Sequence, residues 1–211
     1  MNLQNYYYYF QSALTPRFCD ELIKYGKSQQ EQIALTGGQT EKVNKGKPLD
    51  DKDILDLKKK RDSNIAWLND RWIYKEIQPF IHQANRLANW NFDWDFSESC
   101  QFTKYGPGQH YGAHCDSWES PYANADNKDT FGKIRKLSVT CSLSDPSEYE
   151  GGELEFQFRN QDDPTPKKKC VEILPRGSIC VFPSFVWHEV RPVTKGVRYS
   201  LVIWNLGYPF K

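Results

Sequence analysis

The sequence lacks the features that would place it in a membrane or send it for secretion. No apolar run in its 211 residues approaches the roughly 20 residues that a membrane-spanning helix needs. The first ten residues contain neither a basic segment nor an apolar one, so no signal peptide is predicted. We therefore expect a cytoplasmic protein that does not cross a membrane.

Paired cysteine motifs are also missing. The chain has 6 cysteines, and none of them forms a CxxC pair, which argues against a zinc ribbon or a thioredoxin-type site. Three disulfides are possible by count, but reduced thiols are the favoured reading in a chain of this length without a secretion signal. Most of these cysteines lie in apolar, strand-like runs and are expected to be buried small hydrophobic residues.

The charge of the chain shows no excess of either sign. Lys and Arg total 28 and Asp and Glu total 27, for a net charge of +1. A balance near zero removes the electrostatic footprint that is typical of nucleic-acid-binding proteins, although it leaves room for a local patch. Aromatic residues make up 15% of the chain, which argues against disorder.

The N-terminal part of the chain has helical periodicity. Thr15 and Pro16 resemble an N-cap and a first helical position, and apolar residues continue at helical spacing to about Gly26. A second helix is predicted from about Asn69 to Asn89. The segment Thr36–Leu49 between them is polar and rich in Gly and Lys, and it is predicted to be a mobile surface loop.

From about Trp90 onward, short runs of aromatic and β-branched residues alternate with turn residues. Nine strands are predicted, near Asp93–Phe96, Ser99–Tyr105, His110–Cys115, Ile134–Leu143, Leu154–Phe158, Lys169–Ile173, Ser178–Phe182, Trp187–Arg191 and Arg198–Asn205. This order predicts an α+β fold in which helices pack on a β-sandwich or jelly-roll barrel. We expect one domain over residues 1–211, with residues 1–92 as mainly helical support and residues 93–211 as the jelly-roll core.

Two of the 4 histidines lie at sequence positions that suit a metal-binding site. His114 and Asp116 are two residues apart at a predicted strand end, so their side chains share one face. His188 begins another predicted strand about seventy residues later, and separate strands of a barrel can converge. Two imidazoles and one carboxylate form the facial triad of non-haem Fe(II) oxygenases. An isolated H-x-D pair is common and carries little information by itself.

Arg198 indicates which type of reaction such a metal site would serve. It begins a predicted strand ten residues after His188, and its guanidinium is suited to bidentate binding of a carboxylate. Ser200 lies on the same strand face and has a hydroxyl available for the same carboxylate. An arginine before a strand is usually a solvated edge residue. Arg198 therefore indicates a carboxylate-binding site only because it occurs together with the triad.

Residues from about Gln101 to Trp204 resemble the Fe(II)- and 2-oxoglutarate-dependent dioxygenase superfamily, in particular its prolyl-4-hydroxylase-like branch. The matching segments are Tyr105–Asp116, which resembles Y-x-x-G-x-x-Y-x-x-H-x-D, then Arg135–Leu154, Gly177–His188 and Arg198–Ser200. The resemblance covers about half of the chain, and the first hundred residues match only loosely. It implies a double-stranded β-helix, which is a jelly-roll or cupin-like core.

The resemblance also implies site residues and cofactors. It implies that His114, Asp116 and His188 bind Fe(II), with 2-oxoglutarate and O2 as co-substrates and ascorbate as a possible reductant. It implies that Arg198 pairs with the distal carboxylate of 2-oxoglutarate, and that Tyr105, Thr140 and Ser200 line the co-substrate pocket. Trp204 lies six residues after Arg198, so strand parity predicts that it faces the same cavity. Collagen-type members of the branch carry Lys at the position of Arg198, which weakens the expectation of a collagen-like substrate.

Substrate contacts are expected from aromatic residues near the triad. The candidates are Tyr111, Trp118 and Tyr122, and an aromatic rim that includes Tyr111 and Trp118 would suit a proline ring or a peptide. The long segment Ser117–Lys133 directly follows the first two ligands and is a candidate lid, with Thr36–Leu49 as a second candidate. For both segments, an ordinary surface loop is the competing interpretation.

Three functions remain open from the sequence. The first is hydroxylation of a peptidyl proline, with a protein or peptide as the partner. The second is the same chemistry on a free amino acid, another small molecule or a nucleobase; near-neutral charge argues mildly against the nucleobase. The third is a cupin-like metal-binding module or zinc hydrolase without oxidation, for which a 2-oxoglutarate clamp such as Arg198 would have no purpose.

Overall fold

The structure, a computed structural model, describes residues 5–117, 120–157 and 167–210. Its helices are α1 (Pro16–Ser28), α2 (Gly37–Asn44), α3 (Asp51–Lys60) and α4 (Arg71–Leu87). Its strands are β1 (Tyr8–Phe10), β2 (Gln32–Ile33), β3 (Arg61–Asp62), β4 (Asn64–Leu68), β5 (Phe96–Ser97), β6 (Cys100–Tyr105), β7 (His110–His114), β8 (Ile134–Ser142), β9 (Tyr149–Gly151), β10 (Leu154–Gln157), β11 (Lys167–Lys169), β12 (Ile179–Pro183), β13 (Trp187–Val190), β14 (Val193–Gly196) and β15 (Arg198–Gly207).

Helix α1 begins where the sequence predicts. The hydroxyl of Thr15 accepts a hydrogen bond from the backbone N–H of Phe18 at 3.1 Å, and Pro16 occupies the first helical position. Both features fit the N-terminus of a helix, where four N–H groups lack intrahelical partners. The predicted second helix is α4, which buries one face at helical spacing through Ile73, Ile77, Ile81 and Ala84.

The described strands form two facing sheets and one small ribbon, and all of their pairings are antiparallel. The major sheet has the order β1-β12-β8-β15-β6-β4-β2, with β5 paired to β15. The minor sheet has the order β11-β10-β13-β7-β3, and β14 pairs with β9. This arrangement is the expected jelly-roll, or double-stranded β-helix, in an α+β chain.

The main hydrophobic core lies between the helices and the outer face of the major sheet. Side chains of α1 and α4 pack there with alternate residues of the central strands, such as Val139 of β8 and Leu201 of β15. A smaller cluster, which includes Phe156 and Phe182, fills one end of the space between the two sheets. The helices therefore support one side of the barrel and leave its interior available for polar residues.

The predicted loop at Thr36–Leu49 is wrong, because α2 occupies Gly37–Asn44. None of the residues of α2 is buried, so it has no apolar stripe for a periodicity argument to find. Local charge pairs stabilise it instead. Lys45 pairs with Glu41 one turn away, and Lys42 pairs with Asp53 of α3.

Two predicted strands differ from the structure. Lys169–Ile173 is wrong as a strand, because β11 ends at Lys169 and Val171–Ile173 form a 3₁₀ turn. This turn lets Cys170 and Ile173 both reach the smaller core cluster, which an alternating strand would not allow. At Asp93–Phe96, only the last residue is in β5, because the chain before it follows the end of β15 as irregular backbone.

The cysteines are the free and mostly buried thiols that the sequence predicts. All six thiols are free, and five of them are buried while Cys115 is partly exposed. No helix in the described parts of the chain combines the length and the apolar character that crossing a membrane requires.

Gly26 gives a test of the packing between α1 and the major sheet. A Cβ atom at this position would lie 2.5 Å from ring atoms of Phe102 on β6. Since the ring is held in the core, we expect Gly26→Ala to destabilise the fold by about 1–3 kcal/mol, the usual effect of overpacking. Chemical denaturation monitored by circular dichroism measures this change.

The matched control is Gly38→Ala in α2, where an added Cβ meets nothing within 4 Å. There the lower backbone entropy of alanine should be neutral or stabilise by about 0.5–1 kcal/mol. Equal stabilities of the two variants would contradict the packing described for α1.

Candidate metal centre

Two imidazoles and one carboxylate converge between the two sheets. His114 ends β7 and His188 lies on β13, and the two residues are direct partners in the antiparallel pairing of these strands. Asp116 follows two residues after His114. Candidate ligand atoms of the three residues all lie within 4.8 Å of one another, and the Nε2 atoms of both histidines are 3.7 Å from carboxylate oxygens of Asp116.

Backbone carbonyls fix the orientation of both imidazoles. Nδ1 of His114 lies 2.8 Å from the carbonyl oxygen of Gly112, and Nδ1 of His188 lies 3.0 Å from that of Val186. A carbonyl can only accept, so each Nδ1 carries the proton and each Nε2 presents its lone pair to the centre. Such contacts are the usual outer support of metal-binding histidines.

The carboxylate is held equally firmly. The hydroxyl of Ser138 on β8 donates to Oδ2 of Asp116 at 2.7 Å, and the backbone N–H of Asp116 donates to the carbonyl of Ser184 at 2.8 Å. The hydroxyls of Ser138 and Ser184 are themselves 2.9 Å apart. Asp116 is only 7% exposed, so these bonds replace most of its contact with water.

The protonation states suit metal binding. Burial, reinforced by the neighbouring His188, lowers the pKa of His114 to about 3, which keeps this imidazole neutral. Burial acts to raise the pKa of Asp116, but His188, His114 and Arg135 together with the Ser138 hydrogen bond hold that pKa below its ordinary value. A neutral imidazole and an ionised carboxylate are the forms that bind a cation.

An aromatic ring supports His114 from the side. The rings of Tyr111 and His114 are stacked with centroids 3.5 Å apart and planes within 15°. The buried guanidinium of Arg61, the cross-strand partner of Tyr111, lies 4.4 Å from the centroid of the Tyr111 ring. The pairing of β7 with β13 shifts register between His114 and Tyr111, and this bulge allows residues three apart to face the same way.

The stack predicts that the Tyr111 ring, and not its hydroxyl, keeps His114 in place. We expect Tyr111→Ala to weaken metal binding about tenfold, as loss of outer support around a ligand typically does. Tyr111→Phe, which keeps the ring, should bind the metal as tightly as the native chain. Competition with a fluorescent chelator measures both affinities, and a Phe variant as weak as the Ala variant would count against the stacking role.

A cavity adjoins the three ligands and collects most of the residues expected around the co-substrate. Its walls come from both sheets and include Tyr105, Tyr111, Thr140, Arg198, Ser200 and Trp204 together with His114, Asp116 and His188. Arg198 and Tyr105 are cross-strand partners on β15 and β6, and the guanidinium lies 5.7 Å from the Tyr105 ring centroid.

Two buried donors in this cavity have no hydrogen-bond partner among the described residues: Nη1 of Arg198 and Nε1 of Trp204. Arg198 is 4% exposed, and no carboxylate in the described ranges lies within ion-pair distance of it. Burying a guanidinium without an anion is costly, so the cavity is suited to a ligand that brings a carboxylate. Gly152 makes room for this arginine, since a Cβ there would lie 2.8 Å from Cδ of Arg198.

Of the two remaining candidate substrate residues, only Tyr122 belongs to the part of the chain that the structure describes. Trp118 is outside the described residues. Tyr122 does not line the cavity; its hydroxyl donates to Oε1 of Glu98 at 2.7 Å. Glu98 also accepts hydrogen bonds from Arg135, whose guanidinium lies 3.9 Å from the Trp204 ring. Tyr122 therefore anchors the described residues 120–133 to a wall of the site.

Several residues of the site were missed from the sequence. Ser138 and Arg135 lie in the predicted strand Ile134–Leu143, but nothing local distinguishes them from other strand residues. Trp67 is 44% exposed although it lies on β4, and its ring is 6.3 Å from that of Trp204. The sequence does not show that Trp67 is exposed, because the exposure of a strand residue depends on the order of the strands in the sheet.

Comparisons with known proteins agree with this geometry. The family model of the 2OG-Fe(II) oxygenase superfamily matches residues 100–205. A PKHD-type hydroxylase of Sphingopyxis alaskensis is 39% identical over 97 residues, which are 46% of this chain and 38% of that relative. The chain thus spans well under half the length of this curated relative.

Solved structures share the fold over nearly the whole chain. A viral collagen prolyl hydroxylase from Paramecium bursaria Chlorella virus-1 superposes with a TM-score of 0.64 at 22% identity, covering 97% of both chains. A Trichoplax adhaerens prolyl hydroxylase, solved with a peptide fragment of the hypoxia inducible factor oxygen degradation domain, has a TM-score of 0.59 at 16% identity. It covers 96% of this chain and 84% of its own. At these identities the likeness establishes the fold alone.

Proposed function

Because this chain belongs to the 2OG-Fe(II) oxygenase superfamily, we propose that it hydroxylates a prolyl residue of a peptide or protein. In this proposal His114, Asp116 and His188 hold Fe(II), and Arg198 binds the distal carboxylate of 2-oxoglutarate. The observation that carries the proposal is the meeting of a His–Asp–His cluster, in one cavity, with a buried arginine that has no carboxylate partner in the described part of the chain.

The bound iron would supply oxidative chemistry: with 2-oxoglutarate and O2 it converts a C–H bond to C–OH and yields succinate and CO2. The chain itself contributes binding and orientation. Three protein ligands on one side of the metal leave positions open for the co-substrate and O2. Ascorbate, which the family resemblance suggests, would serve only to keep the iron reduced.

Residues around Arg198 would orient the co-substrate. Ser200 and Thr140 offer hydroxyls from β15 and β8, and Tyr105 lies beside the guanidinium. The unpaired indole N–H of Trp204 is a further donor facing the cavity. Since these groups are buried before any ligand enters, they are preorganised and little side-chain entropy is lost on binding.

The aromatic rim supports a peptidyl proline as substrate. Tyr111 and Trp204 line the cavity beside the metal centre, the exposed ring of Trp67 lies 6.3 Å from that of Trp204, and flat aromatic faces suit the ring of proline. Two structural neighbours are named as prolyl hydroxylases, and one was solved with a peptide. These features favour a peptide over a nucleobase, and the net charge of +1 agrees.

The first test addresses the metal and the co-substrate. Under anaerobic conditions, Fe(II) and 2-oxoglutarate added together should give a weak visible metal-to-ligand charge-transfer band, because both bind at one centre. Neither addition alone should produce it, and succinate should form when air is admitted. A chain that binds Zn(II) but gives no band would favour the cupin-like module without oxidation.

The second test addresses the substrate. A peptide library incubated with the loaded protein should contain proline-bearing members that gain about sixteen daltons, detected by mass spectrometry. The matched control replaces the reactive proline by alanine in the same peptide. Oxidation of free amino acids, other small molecules or nucleobases, with no peptide modified, would replace the peptidyl assignment while keeping the reaction class.

A further inference from the structure

A second cavity, of about 550 Å³, lies outside the metal centre. It is enclosed by the segment that precedes β5 and by the end of β15 with the residues that follow. Its lining includes five aromatic side chains and one lysine: Trp90, Phe92, Trp94, Tyr208, Phe210 and Lys136. None of the residues named for the metal centre or its adjoining cavity lines it. A concave aromatic surface of this size is typical of small-molecule sites.

Lys136 is the only basic residue lining the cavity, and its side chain enters because of a β-bulge. In the pairing of β8 with β15, Asn205 opposes Leu137 and Leu206 opposes Arg135, so Lys136 is the extra residue of β8. A bulge turns one side chain away from the alternation of the strand. The residue is only 4% exposed, and its ammonium lies 3.7 Å from the centroid of the Phe210 ring.

The ammonium of Lys136 has no acidic partner in the described ranges, since no carboxylate there lies within ion-pair distance. The neighbouring Lys133 differs, because its ammonium is 2.7 Å from Asp95 at the edge of the cavity. Burial lowers the pKa of Lys136, and the more distant Asp93 opposes this change. An ammonium buried in an aromatic cavity without a counter-ion is stabilised when a ligand supplies the negative charge.

We propose that this cavity binds a small monocarboxylate with an apolar or aromatic body, whose carboxylate pairs with Lys136 while its body packs among the aromatic rings. Asp93 and Asp95 also line the cavity, Asp95 paired with Lys133, and their carboxylates disfavour a second negative charge on the ligand. A dicarboxylate such as 2-oxoglutarate is therefore the wrong ligand for this site, which separates it from the site at Arg198.

A fluorine-labelled probe tests the proposal directly. Titration of the native chain with 3-(4-fluorophenyl)propionate, followed by ¹⁹F NMR, should show saturable binding. The neutral analogue 3-(4-fluorophenyl)propan-1-ol, which has the same body, should bind at least about tenfold more weakly, since it lacks the charge-assisted contact. Absence of saturable binding, or equal binding of the acid and the alcohol, would overturn the proposal without any variant.

Three substitutions locate the probe. Lys136→Met should weaken probe binding at least about tenfold, whereas Lys133→Met should leave it unchanged, because Lys133 already has Asp95. Arg198→Met should also leave it unchanged. Binding that survives Lys136→Met but is lost in Arg198→Met would place the probe in the metal-centre cavity and refute the second site. This result is independent of whether the chain hydroxylates a peptide.

Discussion

Replacing Asp116 by alanine is expected to abolish succinate formation and to reduce Fe(II) affinity by more than about 100-fold. Outer contacts around a metal ligand are typically worth 10–100-fold in affinity or activity, and a ligand itself contributes more. Asp116 is the only carboxylate of the His–Asp–His cluster, so its loss also removes the negative charge that balances the metal. Iron content after dialysis and succinate yield measure the two effects.

A graded control uses the hydroxyl that holds this carboxylate. Ser138→Ala leaves all three ligands in place but removes the 2.7 Å hydrogen bond to Oδ2 of Asp116. We expect metal affinity to fall by about 10–100-fold, less than in Asp116→Ala. Circular dichroism should show folded protein in both variants. Full turnover by Asp116→Ala would exclude the proposed metal centre.

Replacing Arg198 by methionine is expected to weaken 2-oxoglutarate binding by roughly 100-fold. A bidentate, charge-assisted pair with a carboxylate contributes about 3 kcal/mol, which corresponds to that factor. The effect should fall on the KM for 2-oxoglutarate and much less on metal affinity, since Arg198 is not among the clustered ligand atoms. Arg198→Lys, which keeps the charge but not the planar fork, should give an intermediate KM.

The control for this prediction is Arg191→Met. Arg191 is exposed and lies 3.4 Å from Glu189, so its removal should leave the KM unchanged.

The lack of a carboxylate partner for Arg198 among the described residues has a second consequence. Without co-substrate, Arg198→Met should be no less stable than the native chain in thermal unfolding, because it removes an uncompensated buried charge. An unchanged 2-oxoglutarate affinity would refute the clamp.

The elements that follow a simple period were predictable. Helix α4 buries every third or fourth residue, and β8 and β15 are long runs of apolar and β-branched residues with clear turns at their ends. Each pattern reflects burial of one face, so the local sequence contains the information. Helix α2 was not predictable, because it buries nothing and depends on a charge pair with α3.

Strand β7 shows where the simple alternation of side chains along a strand fails as a guide. Parity places His110 on the side of His114 and places Tyr111 opposite. The bulge in β7 reverses this: Tyr111 stacks on His114, whereas His110 lies at 3.4 Å from the carbonyl of Lys59. One inserted residue inverts the alternation for the rest of a strand.

By itself the sequence determined which chemical groups are present and in what order. The H-x-D pair, the later His188, Arg198 ten residues beyond it and the spacing of the helices and strands are all local patterns. Only the tertiary structure decided which of these groups meet, that Arg198 has no carboxylate partner among the described residues, and that Lys136 enters an aromatic cavity. The physical reason is that cross-strand partners lie far apart in the chain. In addition, a single-residue bulge redirects side chains without changing the local sequence pattern of the strand.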